Sequence, residues 1–420
     1  MEPDGPLGRI PLRAGDLIEL ECQELAHRGL GVARHRGMVI FVFGALPQER
    51  LVARVTAVRR RHAFADLERV LEPSSERVEP PCPYFGRCGG CQLQHASYPY
   101  QLQSKVAILA AAVARALGQA GPEVEAVAAA EPWRYRWRGE FHRTKAASGL
   151  GFVDRGGRRV LGIDDCLIHH RAITDSLPAL GAAVAEAGPR ARTLQLTVGR
   201  GGKELLAAPR PAGAPWSVGA AAARLERGPA LTDEATGWEY RGREFRIFPE
   251  SFVQVNRGTL DRLYEGVVDW LAPEIPGAHV VDAYGGVGML SLRLGDLAAR
   301  VTVLESNPLS AQLCRLHAEM HHLGSVEVVC GAVERELPRC APARAVVLDP
   351  PRAGLSPEVR GWLTLAGPAT LVYLSCEVSA LARDLGTLCR LGPYRLERLR
   401  LVDMFPQTYH FESVALLRRD

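Results

Sequence analysis

Between residues 17 and 70 short apolar runs alternate with Gly- and Pro-bearing breaks, at 17–20, 31–33, 38–43, 51–58 and 64–70. Runs this short and this closely spaced predict strands, and five in succession predict a small OB-like β-barrel. Residues 73–83, rich in Pro, Ser and Glu, read as a linker. The period then lengthens. An Ala-rich stretch over 98–119, without Gly or Pro from Tyr100 until Gly118, predicts one helix, expected to pack on the C-terminal domain over 248–420. A mixed region spans 132–246, with strand signals at 193–198 and helix signals at 176–187. From Phe248 onward helix and strand patterns alternate, as in a parallel sheet with crossover helices. The predicted fold class is α/β: a barrel over 1–71, a central α+β domain over 72–247 and a Rossmann-like domain over 248–420.

Composition narrows the function classes. The chain has 420 residues, 47% hydrophobic and 23% charged, which suits several globular domains. Its most apolar helical stretch, 106–117, is too short to span a bilayer and is broken by Arg115. Residues 1–10 lack the apolar run behind a basic start that a secretory leader needs, so a cytoplasmic location and no membrane partner are expected. A net charge of +4 decides little by itself, but most of the 51 basic residues are Arg, whose planar fork suits phosphates and bases. Arg54, Arg59, Arg60 and Arg61 could offer the barrel a nucleic-acid face or simply solvate a strand end. Trp133-Arg134-Tyr135-Arg136-Trp137-Arg138 alternates with period two, followed by His142, Arg143 and Lys145. As a strand it would bury three aromatics and expose three arginines, making an RNA-facing surface or a solvated basic face.

Ten cysteines in a reducing compartment point away from disulfides. Cys22, Cys314, Cys330, Cys340 and Cys389 sit in amphipathic patterns and read as small buried hydrophobes. Cys82-x5-Cys88-x2-Cys91 with Cys166 supplies four thiolates, enough for an iron–sulfur cluster or structural zinc, and Gly86, Gly89 and Gly90 would let the loop wrap either. Two C-x2-C arms would have favoured zinc, and only one is present.

The C-terminal region carries the chemistry. His279-Val280-Val281-Asp282 is an apolar strand ending in an acid; Ala283-Tyr284-Gly285-Gly286-Val287-Gly288 is a glycine-rich turn, and a helix is predicted from Met289. Strand, glycine turn and helix in that order admit a nucleotide-like ligand. The next strand ends in Glu305, 23 residues after Asp282, placed to accept from both hydroxyls of a ribose. The absence of a phosphate-gripping lysine motif favours a ligand with ribose and no pyrophosphate, which S-adenosylmethionine fits. Two further strands end in Asp349-Pro350-Pro351-Arg352 and in Ser375-Cys376. Ligands of open α/β sheets bind beyond the carboxyl ends of the strands, so Asp282, Glu305, Asp349 and Cys376 should converge. Residues 394–402 and 414–418 predict a closing strand pair.

Phe252-Val253-Gln254-Val255-Asn256, Asp349-Pro350-Pro351-Arg352, Ser375-Cys376 with Leu381-Ala382-Arg383-Asp384, and Phe405-Pro406-Gln407-Thr408-x-His410-x-Glu412 resemble the RNA 5-methyluridine methyltransferase family over essentially the whole chain. The resemblance implies a class I methyltransferase domain, a TRAM barrel, and a [4Fe-4S] cluster on Cys82, Cys88, Cys91 and Cys166, as in the ribosomal RNA branch. It implies Cys376 as nucleophile and Glu412 as base. Gln254, Tyr284, Gly286, Glu305 and Asp349 would bind the methyl donor, and Phe252 and Arg352 the RNA, with Phe252 stacking on the target base. Since thiolate is the reactive form, the Cys376 pKa should be depressed or its proton removed locally. Gly285 and Met289 stand where the family often has Cys and Asn, and Glu377-Val378 replaces Asn-Pro. The Glu377 carboxylate is expected to point away from Cys376.

Carbon-5 methylation of uridine, in 23S ribosomal RNA rather than transfer RNA, is therefore expected of a monomer without an obligate protein partner. Two rivals are an amino-group methyltransferase, suggested by Asp349-Pro350-Pro351 but lacking its aromatic at Arg352, and a non-catalytic RNA-binding iron–sulfur protein.

Overall fold

The structure, a computed structural model, describes residues 12–146, 149–186, 192–210 and 229–420. It divides into two compact units, one of 1–86, 90–104 and 407–409, the other of the remaining residues.

In the first unit β1 (Leu17–Ala26), β2 (Leu30–His35), β3 (Met38–Phe43), β4 (Arg50–Val58) and β5 (His62–Glu72) close into a barrel in the order β1-β2-β3-β5-β4. The period of two seen in the sequence becomes the core: Ile18, Leu20, Cys22, Ile40, Val42, Leu51, Ala53 and Val55 all point inward. Arg54 is committed to Glu68, which accepts from its Nε and Nη2 at 3.0 and 2.9 Å. Gln101 and Gln407 exchange two hydrogen bonds of 2.9 Å, which anchors residues 407–409 within this unit.

In the second unit the strands are β6 (Val124–Val127), β7 (Arg138–Arg143), β8 (Leu150–Val153), β9 (Val160–Gly162), β10 (Thr193–Val198), β11 (Glu204–Arg210), β12 (Ala230–Thr232), β13 (Thr236–Tyr240), β14 (Arg243–Ile247), β15 (His279–Ala283), β16 (Arg300–Glu305), β17 (Val326–Cys330), β18 (Ala345–Leu348), β19 (Thr370–Ser375), β20 (Tyr394–Val402) and β21 (Glu412–Arg419). Among the described residues they form a six-stranded sheet (β12-β11-β10-β7-β8-β9), a hairpin (β13-β14) and an eight-stranded sheet (β17-β16-β15-β18-β19-β21-β20-β6). In the large sheet β17, β16, β15, β18 and β19 are parallel, and β21 runs antiparallel to β19 and β20. Parallel strands are covered on both faces, which is why these read as unbroken apolar runs. Val280, Val301, Val303, Val347, Val372 and Leu374 share one core with Leu263, Val267 and Leu271 of the helix Arg257–Leu271. From β15 the chain builds outward to β16 and β17, then returns to the other side of β15 as β18. The β15/β18 boundary is thus the topological switch point, where α/β sheets open a ligand crevice.

The expected helix at 98–119 is present as Tyr98–Leu117. Its Lys105 Nζ lies 2.8 Å from Asp403 Oδ1, with the two side chains 1% and 0% exposed, and also donates to the Phe405 carbonyl at 3.1 Å. Burial pulls the Lys105 ammonium down and Asp403 opposes it. A helix runs over Leu177–Glu186; residue 187 of the expected 176–187 lies outside the described residues.

Two expectations need correction. The alternation over 133–138 is not a strand until Arg138. Arg134 has φ +57°, and its guanidinium grips both Asp165 oxygens at 2.6 Å and the Cys166 carbonyl at 3.0 Å. Arg138 turns inward to the Pro249 and Ser251 carbonyls, and burial lowers its pKa to about 10. Turn carbonyls and a carboxylate outbid solvent for these guanidiniums, so period two here reports internal capping instead of a basic face. Among the five other cysteines Cys22 and Cys314 are buried, whereas Cys330 is exposed and Cys340 and Cys389 are half-buried. Among the described residues no helix is long and apolar enough to cross a membrane.

Removing one member of a buried ion pair leaves the other charge without compensation. Lys105→Ala is expected to cost about 3–5 kcal/mol, read by calorimetry as a lower melting temperature for the larger unit.

Candidate active site

The register of the last strand pair assembles the site. β19 and β21 pair from Thr370↔Arg418 to Ser375↔Ser413, and Cys376 and Glu412 are the next residues beyond that last pair at the same end. The Ser413 hydroxyl donates to the Ser375 carbonyl at 2.9 Å and pins this end of the pair. β18 lies on the other side of β19 and delivers Asp349 at its carboxyl end. The Asp349 amide donates to the Ala283 carbonyl at 3.2 Å, closing the switch point.

Charge crowding dominates the site. Burial pushes Glu412 well above the ordinary carboxylate range, Asp349 adds to this, and Arg352 opposes it. Asp349 rises to about 7, by burial first and then by Asp282. Asp282 itself rises to about 7 through burial and Glu305, against the Ser291 hydroxyl, which donates to it at 2.5 Å. Burial, Glu412 and Asp349 raise the Cys376 thiol to about 11, and Arg352 again lowers it. The resting thiol is therefore protonated at neutral pH, and a depressed pKa in the free protein is not found. Arg352 is the cation acting on both groups.

The adjoining turn over 284–288 is fixed by hydrogen bonds to β16 and Glu305. Glu305 accepts from the Gly286 amide at 3.0 Å and from the Asn307 amide at 2.6 Å, which fixes its carboxylate at the mouth of the turn. Tyr284 has φ +67°, an uncommon conformation for a bulky residue, and is held by its amide bond to the Leu304 carbonyl at 2.8 Å. A Cβ on Gly285 would stand 2.4 Å from Val303 Cγ1, so β16 forbids a side chain there. A Cβ on Gly286 would meet nothing within 4 Å, which leaves open space above the turn. A glycine turn, a fixed carboxylate and open space are what an adenosyl ligand requires.

The Phe252 ring is 68% exposed, whereas Gln254 is buried. Asn256 caps the helix Arg257–Leu271 through the Thr259 amide at 3.1 Å and donates to the Met404 carbonyl at 3.1 Å. Glu377 caps its own helix: Ser379 donates to its carboxylate from the hydroxyl at 2.9 Å and from the amide at 3.4 Å. Its charge is thereby drawn toward the helix start. Cys82, Cys88, Cys91 and Cys166 are each half-buried, and Cys166 Sγ lies 3.1 Å from His169 Nδ1. Among the described residues no group of three or more His, Cys, Asp or Glu side chains is arranged to hold a metal ion.

Sequence reasoning missed three contributors. Tyr264, partly buried on the helix Arg257–Leu271, has its hydroxyl driven well above the ordinary range by desolvation first and then by Asp349, Tyr240, Asp282 and Glu412. Lys105 looked like an ordinary charged residue on a helix, and Asp384 stood out only as part of the Leu381-Ala382-Arg383-Asp384 motif with no role attached; both are buried. A lysine in an otherwise Ala-rich apolar helix was the available signal for the first.

This fold and site define a class I methyltransferase whose crevice combines a thiol and a carboxylate. The TRAM domain profile matches residues 12–67, and the tRNA (Uracil-5-)-methyltransferase profile matches residues 232–420. The chain is 33% identical to an uncharacterized RNA methyltransferase of Thermosynechococcus vestitus, covering 96% of this chain and 98% of that one. It is 32% identical to the 23S rRNA (uracil(1939)-C(5))-methyltransferase of Shewanella amazonensis, covering 95% of each. The tRNA (uracil-54, C5)-methyltransferase of Pyrococcus abyssi, solved with S-adenosyl-L-homocysteine, shares the fold with a TM-score of 0.73 at 24% identity, over 95% of this chain and all of that one. The chain belongs to the RNA (uracil-5-)-methyltransferase family, whose methyl donor is S-adenosylmethionine.

A raised folded-state pKa favours the neutral acid in the fold. That stability is fully present below the ordinary 4.5 and is lost as pH rises toward the folded-state value. Glu412→Gln is therefore expected to leave the melting temperature nearly unchanged near pH 4 and to raise it at pH 8, as followed by calorimetry at both.

Proposed function

We propose that this enzyme methylates carbon 5 of a uridine in 23S ribosomal RNA through a covalent bond between Cys376 and carbon 6 of the ring. The observation that carries the reading is that Cys376 and Glu412 follow the last β19–β21 pair at the same end, with Glu412 acting on the Cys376 thiol and Asp349 and Arg352 acting on both.

Carbon 5 of uracil is too weak a nucleophile until a thiolate adds at carbon 6. Cys376 sulfur forms that bond, and the electron pair released into the ring makes carbon 5 nucleophilic. S-adenosylmethionine supplies the methyl group that carbon 5 takes. Glu412 then removes the carbon 5 proton, the ring double bond re-forms and the sulfur departs. Glu412 enters this step as the carboxylate, and once ionised a carboxylate with a raised pKa is a stronger base than an ordinary one. The thiol, at about 11, needs its proton taken locally, and Arg352 lowers the cost of the thiolate. Glu305 holds the donor's ribose, Tyr284, Gly286 and Asp349 line its seat, and Gln254 completes it. Phe252 stacks on the extruded uracil, worth about 1–3 kcal/mol, consistent with a ring left exposed.

The ribosomal target is supported by relatives named for 23S rRNA that match nearly the full length. Residues 1–71, 72–247 and 248–420 serve as barrel, central domain and catalytic domain. Cys82, Cys88, Cys91 and Cys166 would hold a [4Fe-4S] cluster, a reading supported by the single C-x2-C arm and the family resemblance. Its contribution is structural, stiffening the loop that orients RNA, and the transfer needs no electron from it. The enzyme works as a cytoplasmic monomer.

RNA carrying 5-fluorouridine at the target cannot lose a proton from carbon 5 and should trap a donor-dependent covalent adduct, seen as a shifted band on a denaturing gel. Its formation rate should climb with pH between about 7 and 9 as the thiolate fraction grows. Cys376→Ala should abolish it; an amino-group methyltransferase would keep full activity in that variant. Cys88→Ala should lose iron and acid-labile sulfide, measured colorimetrically after anaerobic purification, whereas persistence of zinc alone would refute the cluster.

A further inference from the structure

Asp384 is fully buried at the end of the helix Val378–Leu385, and the reaction above gives it no part. Its Oδ2 accepts from the Leu355 amide at 2.9 Å and from the Tyr373 hydroxyl at 2.7 Å. Its Oδ1 accepts from Arg360 at 3.0 Å and from Arg383 Nε at 2.9 Å. The two arginines continue the network, Arg383 to the Ala353 carbonyl at 2.8 Å and Arg360 to the Leu355 carbonyl. Gly354 packs so closely that a Cβ there would stand 2.6 Å from Asp384 Oδ2.

The geography of these partners matters more than their number. Leu355 and Ala353 belong to the loop after β18, which carries Asp349 and Arg352. Tyr373 lies on β19 just before Cys376, and Asp384 lies on the helix just after it. One carboxylate therefore fastens together the two strand-end loops that bear the cation and the thiol. Resting on the Cys376–Glu412 reading, we propose that Asp384 is a positioning residue that holds the Arg352 guanidinium at its working distance from Cys376 and Glu412. The groups facing Cys376 are Glu412 from β21 and Asp349 and Arg352 from the loop after β18, so Arg352 is the cation among them. Coulomb attraction falls with separation, and displacing a catalytic group by about 1 Å can cost on the order of a hundredfold in rate. An anchor that accepts from a backbone amide of the same loop restrains such displacement, because a backbone cannot be rearranged by a side-chain rotation.

The test is a double-mutant cycle on the single-turnover rate of adduct formation with 5-fluorouridine RNA, at saturating RNA and donor. Asp384→Asn should slow the adduct about tenfold or more while donor affinity, measured by calorimetric titration, stays as in the wild type. Arg352→Ala should slow it further, and the double variant should be no slower than Arg352→Ala alone. Asp384→Glu should recover part of the rate. Tyr373→Phe removes one donor without removing the anion. It should slow the adduct by a smaller factor, an effect that vanishes in the Arg352→Ala background, and it serves if Asp384→Asn does not fold. Multiplying effects of the two substitutions, or a wild-type adduct rate in both Asp384→Asn and Tyr373→Phe, would overturn this inference alone. Absence of any adduct with the wild type would overturn the Cys376 reading and this inference with it.

Discussion

Three carboxyl groups and a thiol share one water-poor crevice at the carboxyl edge of the large sheet, and they cannot all be charged at once. Asp282 and Asp349 are lifted to about 7, Glu412 is lifted well above its usual range, and Cys376 stands at about 11. Burial is the first cause in every case, and each group adds to its neighbours' burden. The resting site is therefore poised, with protons stored on acids that would ordinarily have lost them. Positive charge is what such a site lacks. Arg352 supplies some, and a sulfonium donor brings more, so the family's cosubstrate matches the electrostatic deficit of this crevice. Burial makes both the Glu412 carboxyl and the Cys376 thiol reluctant to ionise.

Rigid supports around the crevice follow from this crowding. Like-charged or potentially charged groups drift apart unless the backbone prevents it. Asp384 ties the loop after β18 to β19 and its following helix, and Asn256 ties the start of the helix Arg257–Leu271 to the Met404 carbonyl. Lys105 clamps Asp403 and the Phe405 carbonyl ahead of Glu412. Each support is a polar side chain buried with its partners, an arrangement expensive to leave half-satisfied and hence specific in geometry.

The parts legible in the sequence are those governed by local pattern. The five barrel strands and the strand-end positions of Asp282, Glu305, Asp349 and Cys376 could be read because period and position fix them, whereas Glu412, expected in the connection between the strands 394–402 and 414–418, was reached only through the family resemblance. The run at 133–138 misled because period two is also what a turn leaves when its arginines bond inward to carbonyls, as Arg134 and Arg138 do. Lys105 and Asp384 were illegible as anchors, since their partners lie far away in sequence or on loops whose course no local pattern encodes. The state of the Cys376 thiol was likewise hidden, because its pKa depends on three side chains from two other segments.

The departures from the family pattern become intelligible through the same geometry. At Gly285 the Val303 side chain of β16 fills the space a larger residue would need, so the exchange at 285 is compensated within the neighbouring strand. Glu377 adds a carboxylate beside Cys376, in a crevice already short of positive charge. The structure spends that carboxylate on the amide and hydroxyl of Ser379 at the start of the helix Val378–Leu385, where the helix dipole favours a negative group. A proline in the family's place would begin the helix by stiffness; here a side-chain cap does so by hydrogen bonding, and the same helix still delivers Asp384 to the loop that holds Arg352.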